Sequence, residues 1–151
     1  MDKPWTTKNK EWREKLQKFV NKVTDNELQL VIYKEGWTIA VMLGHLVFWD
    51  ERRLALIKSW EKNGVEPSDI VGIDMNTIND ALMAIFLTMP HRKVAELAVS
   101  AAEKVDKKIA SLPEDLIQKI NALDDPHVLD RGHHRQMHLD EIEAFLKTRK
   151  R

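Results

Sequence analysis

TIAVMLGHLVFWDERRLALIKSWEKNG, residues 38–64, decides the fold. Thr38 can cap a helix and Asn63-Gly64 can stop one, with a long, strongly apolar segment between them. Alternation with period two is absent, so the stretch reads as one helix of about 38–62. His45 lies on its apolar side, with Val41, Met42, Phe48, Trp49 and Leu56 at helical spacing. A lone buried histidine is ordinarily a neutral core residue with one hydrogen bond. Whether His45 is more than that depends on the rest of the chain.

Outward from this helix the same pattern repeats. A first helix is expected over about 7–23, capped at Thr6 or Thr7, with Trp12, Leu16, Phe19, Val20 and Val23 on one face. The linker 24–36 contains ELQLVIY, which suits either an extended segment or a helical turn. After a loop at 65–73, a shorter helix runs from near Asp74 to about Met89, with Met75, Ile78, Leu82, Ile85, Phe86 and Met89 as its apolar stripe. Pro90 ends it. A further helix covers about 91–111, a short piece 114–122, and a last helix about 129–147 before the basic tail KTRKR. Four long helices and a shorter inserted one predict an all-α four-helix bundle forming a single domain over 1–151.

Composition narrows the function. Lys plus Arg and Asp plus Glu are each 24, so no basic surplus supports nucleic-acid binding by phosphate neutralisation or attraction to an acidic membrane. The chain has no cysteine, which excludes disulfides, thiolate nucleophiles and cysteine-based zinc sites. Any metal must be held by His, Asp or Glu. The N-terminus MDKPWTTKNKEW is polar and no apolar run reaches about 18 residues, so a soluble cytoplasmic protein is expected.

The stretch RGHHRQMHLDEIEAFL, 131–146, holds three of the six histidines. His134 and His138 are four apart, one helical turn, the spacing with which one helix offers two imidazoles to a metal. Ile142 and Phe145 continue the same stripe, so this pair should face the core. Alone, the pair is more simply a solvated group near a helix start. With His45 it becomes three imidazoles on two core-facing stripes. Burying three unpaired polar rings is costly, and a divalent metal compensates them. Three histidines leave coordination positions open for water or substrate, as at catalytic sites. Zinc, nickel, iron, copper and manganese all accept imidazole. Gly44, beside His45, would allow backbone or ligand to approach closely. Asp130, Glu141 and Asp50 are candidates to accept an imidazole N–H, and Asp130 could also join the metal. Asp130 with His134 offers the same spacing as His134 with His138, one frame earlier. Arg52, seven beyond His45, could bind an anionic substrate group. Each of these charged residues is otherwise a surface group. His91, His127 and His133 fall outside the set.

The blocks GWTIAVMLGHLVFWDERRL (36–54) and HHRQMHLDEI (133–142) resemble the two histidine blocks of the DinB-like family of four-helix-bundle metalloproteins. DMNTINDAL (74–82) is similar to its short middle helix, and PEDL (113–116) to a turn that follows a later helix. Leu139 and Ile142 fall where that family has them when the ligand pair is His134 and His138. The resemblance implies a metal held by His45, His134 and His138, with zinc or nickel the leading ions and iron or manganese next. It also implies frequent homodimers. Relatives act as metal-dependent transferases and isomerases, often with a low-molecular-weight thiol, and others are proposed hydrolases; membership does not imply DNA binding. A catalytic reading therefore competes with a non-catalytic metal-binding or structural bundle.

Overall fold

The computed structural model describes residues 3–67, 74–125 and 127–149. It is all-α, and among the described residues the only strand-like pairing is an isolated antiparallel bridge between Val31 and Thr38. Helices α1 (Pro4–Lys22), α3 (Ile39–Asn63), α5 (His91–Ala110) and α7 (Gly132–Arg149) form the bundle. Short helices α2 (Asp25–Leu28), α4 (Met75–Phe86) and α6 (Glu114–Asn121) lie in the connections. In the bundle α3 packs on α5, α1 on both α5 and α7, and α3 on α7; α4 rests on α3.

The helix ends explain where the sequence expectations shift. α1 begins earlier than Thr6 or Thr7, because Pro4 occupies its first turn, where a missing N–H costs nothing. The linker contains both alternatives. Thr24 and Glu27 form a reciprocal capping box over one helical turn, α2, and the chain then extends to the Val31 bridge. Thr38 caps α3 through the Val41 amide, as expected. α4 ends at Phe86 rather than Met89, with residues 87–89 winding into turns before Pro90. Its stripe is narrower than its sequence suggests. Leu82 and Phe86 are buried, but Ile85 is 57% and Met75 39% exposed, because α4 lies on α3 at one side of the bundle. Most of the expected loop 65–73 and the end of the basic tail lie outside the described residues.

α7 begins at Gly132, later than 129. Its first amides are capped from another helix: Asn9 Oδ1 of α1 accepts from the amides of Arg131 and Gly132 at 2.7 and 2.8 Å. Asn9 Nδ2 donates to the Leu129 carbonyl. A side chain at Gly132 would meet the Lys8 carbonyl oxygen at 2.8 Å, so the two helix starts touch.

The core is divided in two. One apolar cluster gathers Trp12, Leu16, Leu43, Leu46, Ala98 and Leu139 with their neighbours. The other gathers Leu54, Ile57, Ile109, Ile120 and Leu129. Near their junction lies a polar layer: Asn9 and Arg13 on α1, Asp50 on α3, Asp106 on α5, and Arg131 and Arg135 at α7. Arg135 is fully buried. Its guanidinium donates to both oxygens of Asp106 at 2.9 Å, to Asp50 at 3.2 Å and to the Asn9 carbonyl at 3.1 Å. Arg131 donates to Asp50 and Arg13 to Asp106. Burial opposes the charge on Arg135, but Asp50 and Asp106 outweigh it and hold the guanidinium above its ordinary pKa.

Candidate metal centre

The helical register that builds the polar layer also brings three imidazoles together. His45 comes from the second turn of α3, and His134 and His138 from successive turns of α7. Their ring nitrogens lie within 4.8 Å of one another. His134 Nε2 stands 3.1 Å from both His45 Nε2 and His138 Nε2. His45 and His138 are buried, and His134 is partly so. His91, His127 and His133 are not part of the group.

Charge is suppressed at all three. Burial lowers the His45 pKa to about 4, offset in part by the Asn79 side chain. Burial, helped by the proximity of His138, His45, Arg131 and Arg135, lowers His134 to about 2. Burial and then His45 lower His138 to about 4. Neutral imidazoles with lone pairs converging on one point are the protonation state that a metal requires.

A neutral ring whose Nε2 lone pair faces the group carries its proton on Nδ1. His45 Nδ1 and His138 Nδ1 are both buried without a hydrogen-bond partner. His138 Nδ1 faces Glu141 Oε1 at 3.7 Å, just beyond hydrogen-bond length, and the Tyr33 hydroxyl donates to the other oxygen of Glu141. Burial raises the Glu141 pKa. On the far side Asn79 Oδ1 is likewise buried and completes no hydrogen bond, although its side chain lies close enough to favour a proton on His45. Trp37 and Trp49 flank the His45 ring, at 5.6 and 6.3 Å between centroids.

The carboxylates expected near the imidazoles separate into three roles. Glu141 is the one beside an imidazole. Asp50 is spent on Arg131 and Arg135, and turns away from the role of imidazole acceptor that its sequence position suggested. Asp130 caps α7, accepting from the His133 amide at 3.1 Å, and its second oxygen faces Lys8 Nζ at 3.5 Å. The metal-competent group contains histidines only, without Asp130. Gly44 does admit a close neighbour, but that neighbour is the Phe86 ring, 2.6 Å from where a Cβ would stand. The glycine therefore seats α4, and with it Asn79, against the His45 turn. Asn79 and Tyr33 escaped the sequence reading because nothing in their local spacing links them to α7.

A cleft of about 410 Å³ opens beside the group, reaching His45 and His134 and bounded by Trp49, Arg53, Arg131 and Met137. No described helix is long and apolar enough to cross a membrane. Comparison with curated proteins and with solved structures gives no match. A family model described as the DinB superfamily matches residues 10–146, from α1 to the last turns of α7. The chain belongs to the DinB superfamily.

Proposed function

We propose that His45, His134 and His138 hold a divalent metal ion and that the protein is a metal-dependent enzyme acting on a small molecule. The carrying observation is the convergence of three neutral imidazole nitrogens beside an open cleft. The spacing fits. Nitrogens on a tetrahedral ion with bonds of about 2.0–2.1 Å stand about 3.3 Å apart, close to the two 3.1 Å separations. The donor set suits zinc or nickel, with iron or manganese as alternatives. Such an ion supplies Lewis acidity, lowering the pKa of a water or thiol and polarising a carbonyl.

The chain's own residues do the rest. Asn79 beside His45, and Glu141 3.7 Å from His138 Nδ1, are the groups placed to favour a proton on Nδ1 and so to leave Nε2 pointing inward. Trp37 and Trp49 shield His45 from water. The half-buried carboxyl of Glu141, with its raised pKa and the Tyr33 hydroxyl on it, can take or return a proton. The chain has no cysteine to act as nucleophile, and its resemblance to thiol-dependent transferases and proposed hydrolases of the family supports water or an external low-molecular-weight thiol in that role. The reaction is accordingly hydrolysis or thiol-dependent transfer, and a homodimer is the expected assembly.

Cobalt substitution tests the reading. The cobalt protein should show the visible bands of a low-coordinate site, and adding N-acetylcysteine should produce a sulfur-to-cobalt charge-transfer band. A cobalt spectrum indifferent to thiol and to small carboxylates would mean a closed site, and would favour a non-catalytic metal-binding bundle.

A further inference from the structure

The cleft beside the histidines contains a cation with too few partners. Arg53 Nε is buried and has no hydrogen-bond acceptor among the described residues. The side chain is 13% exposed, and its NH1 forms an ion pair with Asp125 Oδ2 at 3.6 Å, longer than a hydrogen bond and leaving Nε unmatched. The other charges nearby are committed. Arg131 serves Asp50 and the His127 carbonyl, and Asp130 serves the His133 amide and Lys8. A buried donor left unmade is costly and calls for an explanation.

We propose that Arg53, with Arg52 beside it, forms an oxyanion subsite, and that the protein's small-molecule substrate carries a carboxylate or phosphate group that docks there. The guanidinium fork matches the planar or tripodal oxygens of such a group, and the Nε–H is the donor that a bidentate contact uses. Burial, and then repulsion from Arg131, lower the Arg53 pKa to about 10, and Asp125 only partly offsets this. Arg53 thus stays charged at neutral pH, with its Nε–H still unmatched. Arg52 lies over Trp49, with its guanidinium carbon 5.8 Å from the ring, on the same wall.

Position gives the size of the substrate. Arg53 is eight residues beyond His45, roughly 12 Å along the helix axis, and both line the same cleft. The anionic end is therefore separated from the reacting group by several bonds. This inference rests on the proposed metal-dependent activity for its meaning, but not for its test.

The test is done on metal-free protein at low ionic strength, titrated separately with inorganic phosphate and succinate while arginine Nε–H resonances are followed by ¹H–¹⁵N spectroscopy. The Arg53 Nε–H signal should shift saturably. Arg53→Gln should weaken binding at least tenfold. Arg53→Lys, which keeps the charge and loses the fork, should fall between, and Lys58→Gln on the exposed side of α3 should bind as wild type. Tighter phosphate binding assigns a phosphorylated substrate; tighter succinate binding assigns a carboxylate. Absence of a saturable shift overturns the subsite. So does binding that appears only after zinc loading and survives Arg53→Gln, because the anion then sits on the metal. If the protein takes up no metal, the enzymatic reading fails while this titration still decides the subsite.

Discussion

Replacing either partner in the Arg135–Asp106 pair should destabilise the bundle, but by unequal amounts. The polar layer holds three guanidiniums, Arg13, Arg131 and Arg135, against two carboxylates, Asp50 and Asp106. Arg135→Met leaves two one-to-one pairs, Arg13–Asp106 at 2.6 Å and Arg131–Asp50 at 2.9 Å, in a layer that is then neutral. Asp106→Asn leaves three cations around one carboxylate, with Arg135 fully buried among them. Breaking a buried pair costs about 3–5 kcal/mol when a charge is left uncompensated. Arg135→Met should fall near or below the lower figure and Asp106→Asn near the upper. Urea unfolding of metal-free protein at pH 7.5, followed by circular dichroism, measures both. A loss of about 3 kcal/mol moves the midpoint by roughly 1–2 M at slopes typical for this size. The double variant should cost less than the sum of the two. Equal losses, a cheaper Asp106→Asn, or less than about 1 kcal/mol for both would refute the account of the layer.

Other consequences follow from single contacts. Gly44→Ala places a methyl group against the Phe86 ring and should cost about 1–3 kcal/mol, read as a lower urea midpoint; a wild-type midpoint would mean that α4 is not seated there. Asn79→Leu removes the amide side chain beside His45 and should weaken zinc binding about 10- to 100-fold in a competition titration while the fold is retained. Metal-free protein should lose stability as pH falls. The pKa values of His45, His134 and His138 lie below the unfolded value of 6.5, so the unfolded chain takes up protons that the folded one refuses. The stability is complete above pH 6.5 and declines as pH falls towards about 4. Each group loses about 1.4 kcal/mol as pH falls from 7.5 to 5.5, so about 4 kcal/mol should be lost over that interval. A flat urea midpoint over that interval would contradict the burial of the three rings.

The long helices were legible in the sequence because each carries its own caps and apolar period. Thr38 and Gly64 bracket α3 in one dimension as they do in three. The convergence of His45 with His134 and His138 was legible too, because each lies on a stripe bound to face the core. The same stripe on α7 runs Arg131, Arg135, His138, Ile142, at spacings of four, three and four. Those spacings mark the two arginines as inward-facing, and only their charge argued for the surface. Their partners Asp50 and Asp106 lie on other helices, so the neutralisation that permits their burial is a property of packing and not of local sequence. Asp50 illustrates the cost: five residues from His45 it suggested an imidazole acceptor, whereas two guanidiniums claim it. Asn79 lies on a helix whose seat depends on one ring against one glycine, a long-range contact without a periodic signature. The start of α7 depends on a side chain more than a hundred residues away, Asn9, and local spacing placed it too early.

The most direct test of the central claim is the metal content of tag-free protein after reconstitution with zinc or nickel, for wild type beside His45→Ala, His134→Ala and His138→Ala. One ion per chain in wild type, lost in each of the three variants, is the predicted result. Metal retained by His138→Ala but lost from an Asp130→Ala variant would move the ligand set one turn towards the start of α7. No metal in any of the proteins would contradict the claim outright.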